Sequence, residues 1–238
     1  MRHFILLLLL TSLCVAEEPQ QRMSLFNGED LLGWDGDPSW WTVEDGVITA
    51  ESTAEKPCTA TNYIVWTGAL PSDFILECDF KISGAGNSGI HIRSEKRPNY
   101  DMYGYQADIT GDGKLIGFIY HHKRGLVAER GEEVNISKEG ERKAESVGDA
   151  ADLLKHYKPG EWNQYKIVCK GDAITLHLND VKMCDIVDLD PETRKVLGYI
   201  GLQMHRGKPM KVQFKNIYLT PTSPMRTVCA PAPAELKL

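Results

Sequence analysis

Residues 162–179 read Trp162-Asn163-Gln164-Tyr165-Lys166-Ile167-Val168-Cys169-Lys170-Gly171-Asp172-Ala173-Ile174-Thr175-Leu176-His177-Leu178-Asn179. Large apolar residues recur at every second position on both sides of Gly171-Asp172, the pattern of a β-hairpin with one buried and one wet face. The same period of two runs through Phe74-Ile75-Leu76-Glu77-Cys78-Asp79-Phe80-Lys81-Ile82, and Val43, Val47 and Ile48 flank the turn Glu44-Asp45-Gly46. Further strands are expected over residues 197–204 and 211–219, with Gly207-Lys208-Pro209 turning between them. Helical spacing occurs only from Asp149 to Tyr157, through Ala150, Leu153, Leu154 and Tyr157, inside a polar stretch over 129–158 that reads as a surface excursion. Many short strands with one short surface helix predict an all-β fold, two antiparallel sheets packed as a curved jelly-roll sandwich.

The chain has 238 residues, 42% hydrophobic and 25% charged, which suits one domain with a sizeable core. Its net charge of −6 supplies no positive field for a phosphate backbone, so nucleic acid is not an expected partner. Arg2, the apolar run from Phe4 to Leu10 and the small-residue exit Cys14-Val15-Ala16 have the pattern of a secretory signal peptide over residues 1–16. A secreted or periplasmic protein, cleaved near Ala16, is expected. That run is too short for a transmembrane segment, and no other stretch is long and apolar enough. The folded domain is expected over 23–220, followed by a flexible tail over 221–238 that carries Pro221, Pro224, Pro231 and Pro233. Removing Cys14 leaves Cys58, Cys78, Cys169, Cys184 and Cys229, so at most two disulfides form within one chain. Cys78 and Cys169 lie in strand-like runs where a buried thiol and a cross-strand bridge fit equally well.

Residues at i and i+2 on a strand point to one face. Four polar pairs have that spacing: Glu77 with Asp79, His91 with Arg93, Gln106 with Asp108, and Gln203 with His205. Gathered on the concave face of a curved sheet, they would form one groove. His121 and His122 are adjacent and should point to opposite faces. Glu77 and Asp79 would serve a paired-carboxylate glycosidase, although an acidic pair on one strand is more often a solvated surface pair. Trp34, Trp40, Trp41, Trp66 and Tyr103 offer faces for stacking on sugar rings, which supports a second reading, a carbohydrate-binding module without turnover. Gly84-Ala85-Gly86-Asn87-Ser88-Gly89 lacks the strand-to-helix context of a phosphate loop.

At these residues the chain resembles the 3-keto-disaccharide hydrolase domain family. The resemblance begins at Ser24-Leu25-Phe26-Asn27-Gly28 with Leu31, Gly33 and Trp34, and continues through Trp41 to Ile48, Gly86-Asn87-Ser88-Gly89-Ile90 with Arg93, and Gly104-Tyr105-Gln106-Ala107-Asp108. It runs on through Gly117-Phe118-Ile119-Tyr120, Glu161-Trp162-Asn163, Asn179-Asp180, Ile200-Gly201-Leu202-Gln203 with His205, and Phe214-Lys215-Asn216-Ile217. It implies a concanavalin A-like jelly roll and an oligosaccharide or glycoside substrate. It places Asp79, Asn87, Arg93, Gln106, Asp108, Tyr120, Gln203 and His205 in or beside the groove, with His91 alongside. Many relatives carry Glu where Gln106 stands and Gln where Asp108 stands, so the acid has moved two residues along one strand face. Lys215 replaces a common Arg, and Asp180 a common Gly.

The family name implies cleavage of disaccharides oxidised to a ketone at ring carbon 3. The ketone acidifies the proton on carbon 2, so a base can remove it and expel the aglycone from carbon 1, with water added afterwards. On this expectation His205 or Asp108 is the base, His205 being preferred because its ordinary pKa of about 6.5 suits the task better than the carboxylate's of about 3.9. Arg93 would hold the enolate oxygen. Asp79, Asn87, His91, Gln106, Tyr120 and Gln203 would bind the substrate. Imidazole and carboxylate also suit a divalent cation, for which His91, Asp108 or His205 is a candidate ligand, although the spacing alone defines no site.

Overall fold

Alternation at period two commits each strand to one apolar and one polar face, and two such sheets cover their apolar faces by stacking. The computed structural model describes residues 21–227, so the expected signal peptide, Cys229 and the end of the tail lie outside the described residues. In chain order the elements are β1 (Met23–Ser24), β2 (Trp34–Gly36), β3 (Trp41–Glu44), β4 (Val47–Ser52), β5 (Asn62–Trp66), β6 (Phe74–Gly84), β7 (Asn87–Arg97), β8 (Asp101–Thr110) and β9 (Ile119–His121). They continue with β10 (Gly125–Ala128), β11 (Glu132–Ile136), β12 (Arg142–Ser146), α1 (Ala150–Leu154), β13 (Asn163–Lys170), β14 (Ala173–Leu178), β15 (Val181–Asp188), β16 (Tyr199–Met204) and β17 (Met210–Pro221).

A ten-stranded sheet runs β12-β11-β15-β14-β13-β6-β17-β4-β3, with β1 paired to β17, and a seven-stranded sheet runs β10-β9-β8-β7-β16-β5-β2. The hairpin at 162–179 forms as read, Lys170 pairing with Ala173 across Gly171-Asp172. One departure from two purely antiparallel sheets is the parallel pairing of β11 with β15. It arises because the polar stretch over 129–158 is more than an excursion: it folds back as β11 and β12 and extends the larger sheet.

Phe74, Leu76, Cys78, Phe80 and Ile82 of β6 point inward against Ile90, Ile92, Tyr105, Ala107 and Ile109 of the smaller sheet's core face, all buried. Each large side chain so buried contributes roughly 1.5–3 kcal/mol. Polar ties between tyrosines and the facing sheet help to join the two layers. Tyr165 of β13 donates its hydroxyl to the Asp108 carbonyl at 2.7 Å, and Tyr105 of β8 donates to Asp188 at the end of β15. α1 is capped by Asp149, whose carboxylate accepts from the amides of Ala151 and Asp152. It is shorter than its apolar spacing suggests, since the amides of Lys155, His156 and Tyr157 bond three residues back and Pro159 follows. Cys58, Cys78, Cys169 and Cys184 are buried free thiols, so the cross-strand bridge does not form. The expected tail starts later than 221: Leu70 and Arg226 exchange backbone hydrogen bonds, and the Thr222 amide bonds the Asp73 carbonyl.

Phe80 is fully buried at the centre of this core. Phe80→Ala should cost about 3–5 kcal/mol of unfolding free energy, measured by urea denaturation.

Candidate active site

The antiparallel register of the smaller sheet aligns polar residues that are far apart in sequence. Tyr63 stands opposite Gln203, Gln203 opposite Gly89, and Gly89 opposite Asp108. One step along the same face, His91 stands opposite Gln106 and Gln106 opposite Tyr120. Gly89 is needed where it stands, because a Cβ there would lie 2.5 Å from Gln106 Cγ and the Gln106 side chain occupies that space. Tyr63, Gln106, Asp108, Tyr120 and Gln203 floor a cavity of about 390 Å³. Its walls are completed by Asn87, His122 and His205, with Thr61, Asp101, Leu115 and Arg206 at the margin.

Asp108 is 4% exposed, and burial pushes its carboxyl up to about 7. The Gln106 amide opposes that shift by donating its Nε2–H to Asp108 Oδ1. Gln106 Oε1 in turn accepts from His91 Nε2 at 2.6 Å. A second chain crosses the floor: Gln203 Nε2 donates to the Tyr63 hydroxyl at 2.9 Å, and that hydroxyl lies 3.4 Å from His122 Nε2. Burial pushes the Tyr63 phenol up to about 12, so it stays protonated. Gln203 Oε1 and Asn87 Oδ1 remain buried without a hydrogen-bond donor, and a ligand hydroxyl is the kind of group that would satisfy each. His205 Nδ1 donates to the Arg206 carbonyl at 2.6 Å, which leaves the lone pair of the neutral ring on Nε2.

Of the residues expected in the groove, Asn87, Gln106, Asp108, Tyr120, Gln203 and His205 line one cavity. Three do not. Arg93 is 1% exposed and spends its guanidinium on the Ser72 carbonyl at 2.6 and 3.0 Å, the Gly171 carbonyl at 2.8 Å and Asp73 at 3.2 Å. The cause is local: Arg93 has φ +47°, and the pairing shifts between Ile92 and Glu95, so an extra residue breaks the alternation that would have turned it beside His91. Asp79 stands on β6 of the other sheet and accepts from Gln164 and Asn216. Its neighbour Glu77 shares that face and pairs with Arg22, so the two acids lie on the larger sheet and neither lines the cavity. His91 is fully buried behind Gln106 and contributes no lining surface.

Nor does the expected cation set fit, because His91 already bonds Gln106 through Nε2 and Ser94 Oγ, at 3.1 Å, through Nδ1. Among the described residues no three His, Cys, Asp or Glu side chains are placed to share an ion. The aromatic residues named from sequence are also used elsewhere. Trp34, Trp41 and Trp66 are core, Trp40 carries Lys56 over its ring, and Tyr103 carries Arg97. Sequence reasoning missed Tyr63, His122 and Arg206. His122 was within reach, being two residues from Tyr120 on the same face and opposite in orientation to His121, which packs on Tyr105.

Two stacked β-sheets with a polar hollow on one face of the smaller sheet define a concanavalin A-like jelly-roll sandwich. Within that class the chain belongs to the family of 3-keto-alpha-glucoside-1,2-lyase-like domains, whose profile matches residues 21–220. A 3-keto-disaccharide hydrolase of Bacteroides thetaiotaomicron is 27% identical over 162 residues, 64% of this chain and 54% of the relative, so the chain spans about half that relative's length. Among solved structures, a candidate glycosyl hydrolase of Parabacteroides distasonis superposes with TM-score 0.56 at 22% identity, covering 85% of this chain and 94% of that one. The carbohydrate-binding module CBM66 of Bacillus subtilis gives 0.54 at 18%, covering 79% and 95%. At these identities the superpositions speak for the fold alone.

Asp108 moves from 3.8 in the open chain to about 7 in the fold. Below about pH 4 the carboxyl is protonated in both states and burial carries no ionic penalty; between about pH 4 and pH 7 the unfolded chain ionises while the folded state resists, so stability is lost over that window and levels off above it. Asp108→Asn removes that penalty. The stability of the variant relative to the parent should therefore grow between about pH 4 and pH 8, by on the order of 4 kcal/mol, in urea denaturation at each pH. A difference that stays flat over that range would show that burial does not perturb this carboxyl.

Proposed function

We propose that this domain cleaves 3-keto-glycosides by elimination and hydration, with Asp108 as the base. The observation that carries the reading is a carboxylate poised near neutrality in a sugar-sized cavity. An exposed aspartate is too weak a base for a proton next to a ketone; burial brings Asp108 near the working pH, where a general base is most effective. This reverses the preference for His205 drawn from unperturbed values.

Asp108 takes the proton from carbon 2, and the electron pair moves onto the carbon 3 oxygen as an enolate. The enolate re-forms the ketone, the carbon 1–oxygen bond breaks, and the aglycone leaves with the proton that Asp108 took from carbon 2. Water then adds across the resulting double bond, with its proton returning to carbon 2. Arg206, the one lysine or arginine on the cavity wall, replaces Arg93 as the group available to stabilise the enolate oxygen. Gln203, Asn87 and Tyr120 meet sugar hydroxyls. The secretory-signal pattern read over residues 1–16 supports a reaction outside the cytoplasm.

A 3-keto-disaccharide cleavage assay tests the reading. The rate should rise as pH passes through about 7. Asp108→Asn should lower kcat/KM by about 10²–10⁴-fold, and Arg206→Met should lower kcat more than it raises KM. Undiminished cleavage by Asp108→Asn would eliminate it as the base, while ligand binding with no product would favour a carbohydrate-binding module.

A further inference from the structure

His91 is fully buried, lies outside the cavity and yet makes one of the shortest side-chain contacts beneath it, 2.6 Å from Nε2 to Gln106 Oε1. An amide oxygen only accepts, so with Gln106 in this orientation His91 Nε2 carries the hydrogen, and Nδ1 lies 3.1 Å from Ser94 Oγ, whose hydroxyl also reaches the Ile92 carbonyl at 3.0 Å. The ring is fixed in place by Tyr63, edge-on at 4.8 Å between centroids, and by His122 at 5.2 Å. With its oxygen committed to His91, the Gln106 amide can present only its NH₂ to Asp108. Turned the other way, the amide would set an oxygen against the carboxylate and a hydrogen against an imidazole hydrogen, both repulsive.

We propose that His91 is a positioning residue, a buried imidazole in one tautomer that locks the Gln106 amide so that its N–H supports the ionised form of Asp108. The inference rests on Asp108 being the base and adds how its basicity is set. The ring stays neutral across the working range, since burial drives His91 down to about 3, so the lock does not itself titrate near neutrality. Other titratable or charged groups around Asp108 are Tyr63, Asp101, Tyr120, His122, His205 and Arg206 on the cavity wall and Tyr165 behind β8. None of these donates to the Asp108 carboxylate, so Gln106 supplies its hydrogen bond from the protein.

The test uses readouts separate from turnover. In the parent protein, ¹⁵N NMR of the histidine rings should show His91 as the Nε2–H tautomer at neutral pH, and an Nδ1–H tautomer would overturn the proposal without any substitution. Carboxyl ¹³C titration of Asp108 should then show its pKa rising by about one unit in His91→Phe, which keeps the ring volume and removes the donor. His91→Gln, whose amide can reach the same place as Nε2–H, should restore the parental value. If cleavage occurs, the rising limb of the pH–rate profile should move by the same amount, with kcat affected more than KM. Equal Asp108 titration in parent and His91→Phe would refute the lock, as would equal shifts in both variants. A chain that shows the tautomer and the shift but no cleavage would leave the lock standing and sink the proposed reaction instead.

Discussion

A carboxylate held out of water among neutral amides is the constraint around which the smaller sheet is arranged. Among the described residues Asp108 has no cationic partner; its stabilisation comes from one amide hydrogen bond, and burial dominates. Such a group costs stability and is tolerated only where the surrounding strands hold it rigidly. The rigidity comes from both sheets. Tyr165 of β13 reaches through the core to the Asp108 carbonyl, and the same hydroxyl accepts from the Gly117 amide at 2.8 Å, so the larger sheet pins the backbone that carries the acid.

The cavity floor is organised by hydrogen-bond direction as much as by shape. Glutamine amides are ambiguous by themselves, since oxygen and nitrogen occupy nearly the same space, and a partner of fixed polarity must decide between them. His91 decides for Gln106, while the Gln203 amide donates to the Tyr63 hydroxyl and its oxygen is left unsatisfied. Both arrangements leave acceptors, a carboxylate and an amide oxygen, to meet a ligand rich in hydroxyl groups. A sugar has that character.

Arg93 shows how a strand can defeat its own alternation. One added residue in β7, with a left-handed backbone at Arg93, moves a guanidinium from the ligand face to the interior. There it ties the turn at Gly171 to the segment at Ser72 and Asp73 through two carbonyls and a carboxylate. The cation left to the cavity, Arg206, follows His205 just beyond the end of β16, where no strand period applies.

The sandwich was legible because burial of one face imposes period two on every strand, as in Phe74 to Ile82, and two-residue turns such as Gly171-Asp172 mark where strands reverse. The pairs Gln106 with Asp108 and Gln203 with His205 were legible for the same reason. What spacing along one strand leaves open is which sheet and which side a polar face joins. Asp79 and Gln106 both alternate correctly, but β6 lies in the larger sheet and β8 in the smaller, so only one of them meets the cavity. Local residue pattern thus determined the elements and their faces. The partnering of strands remote in the chain decided which face became the site, and burial then moved Asp108 to about 7, a change that depends on every neighbour excluding water.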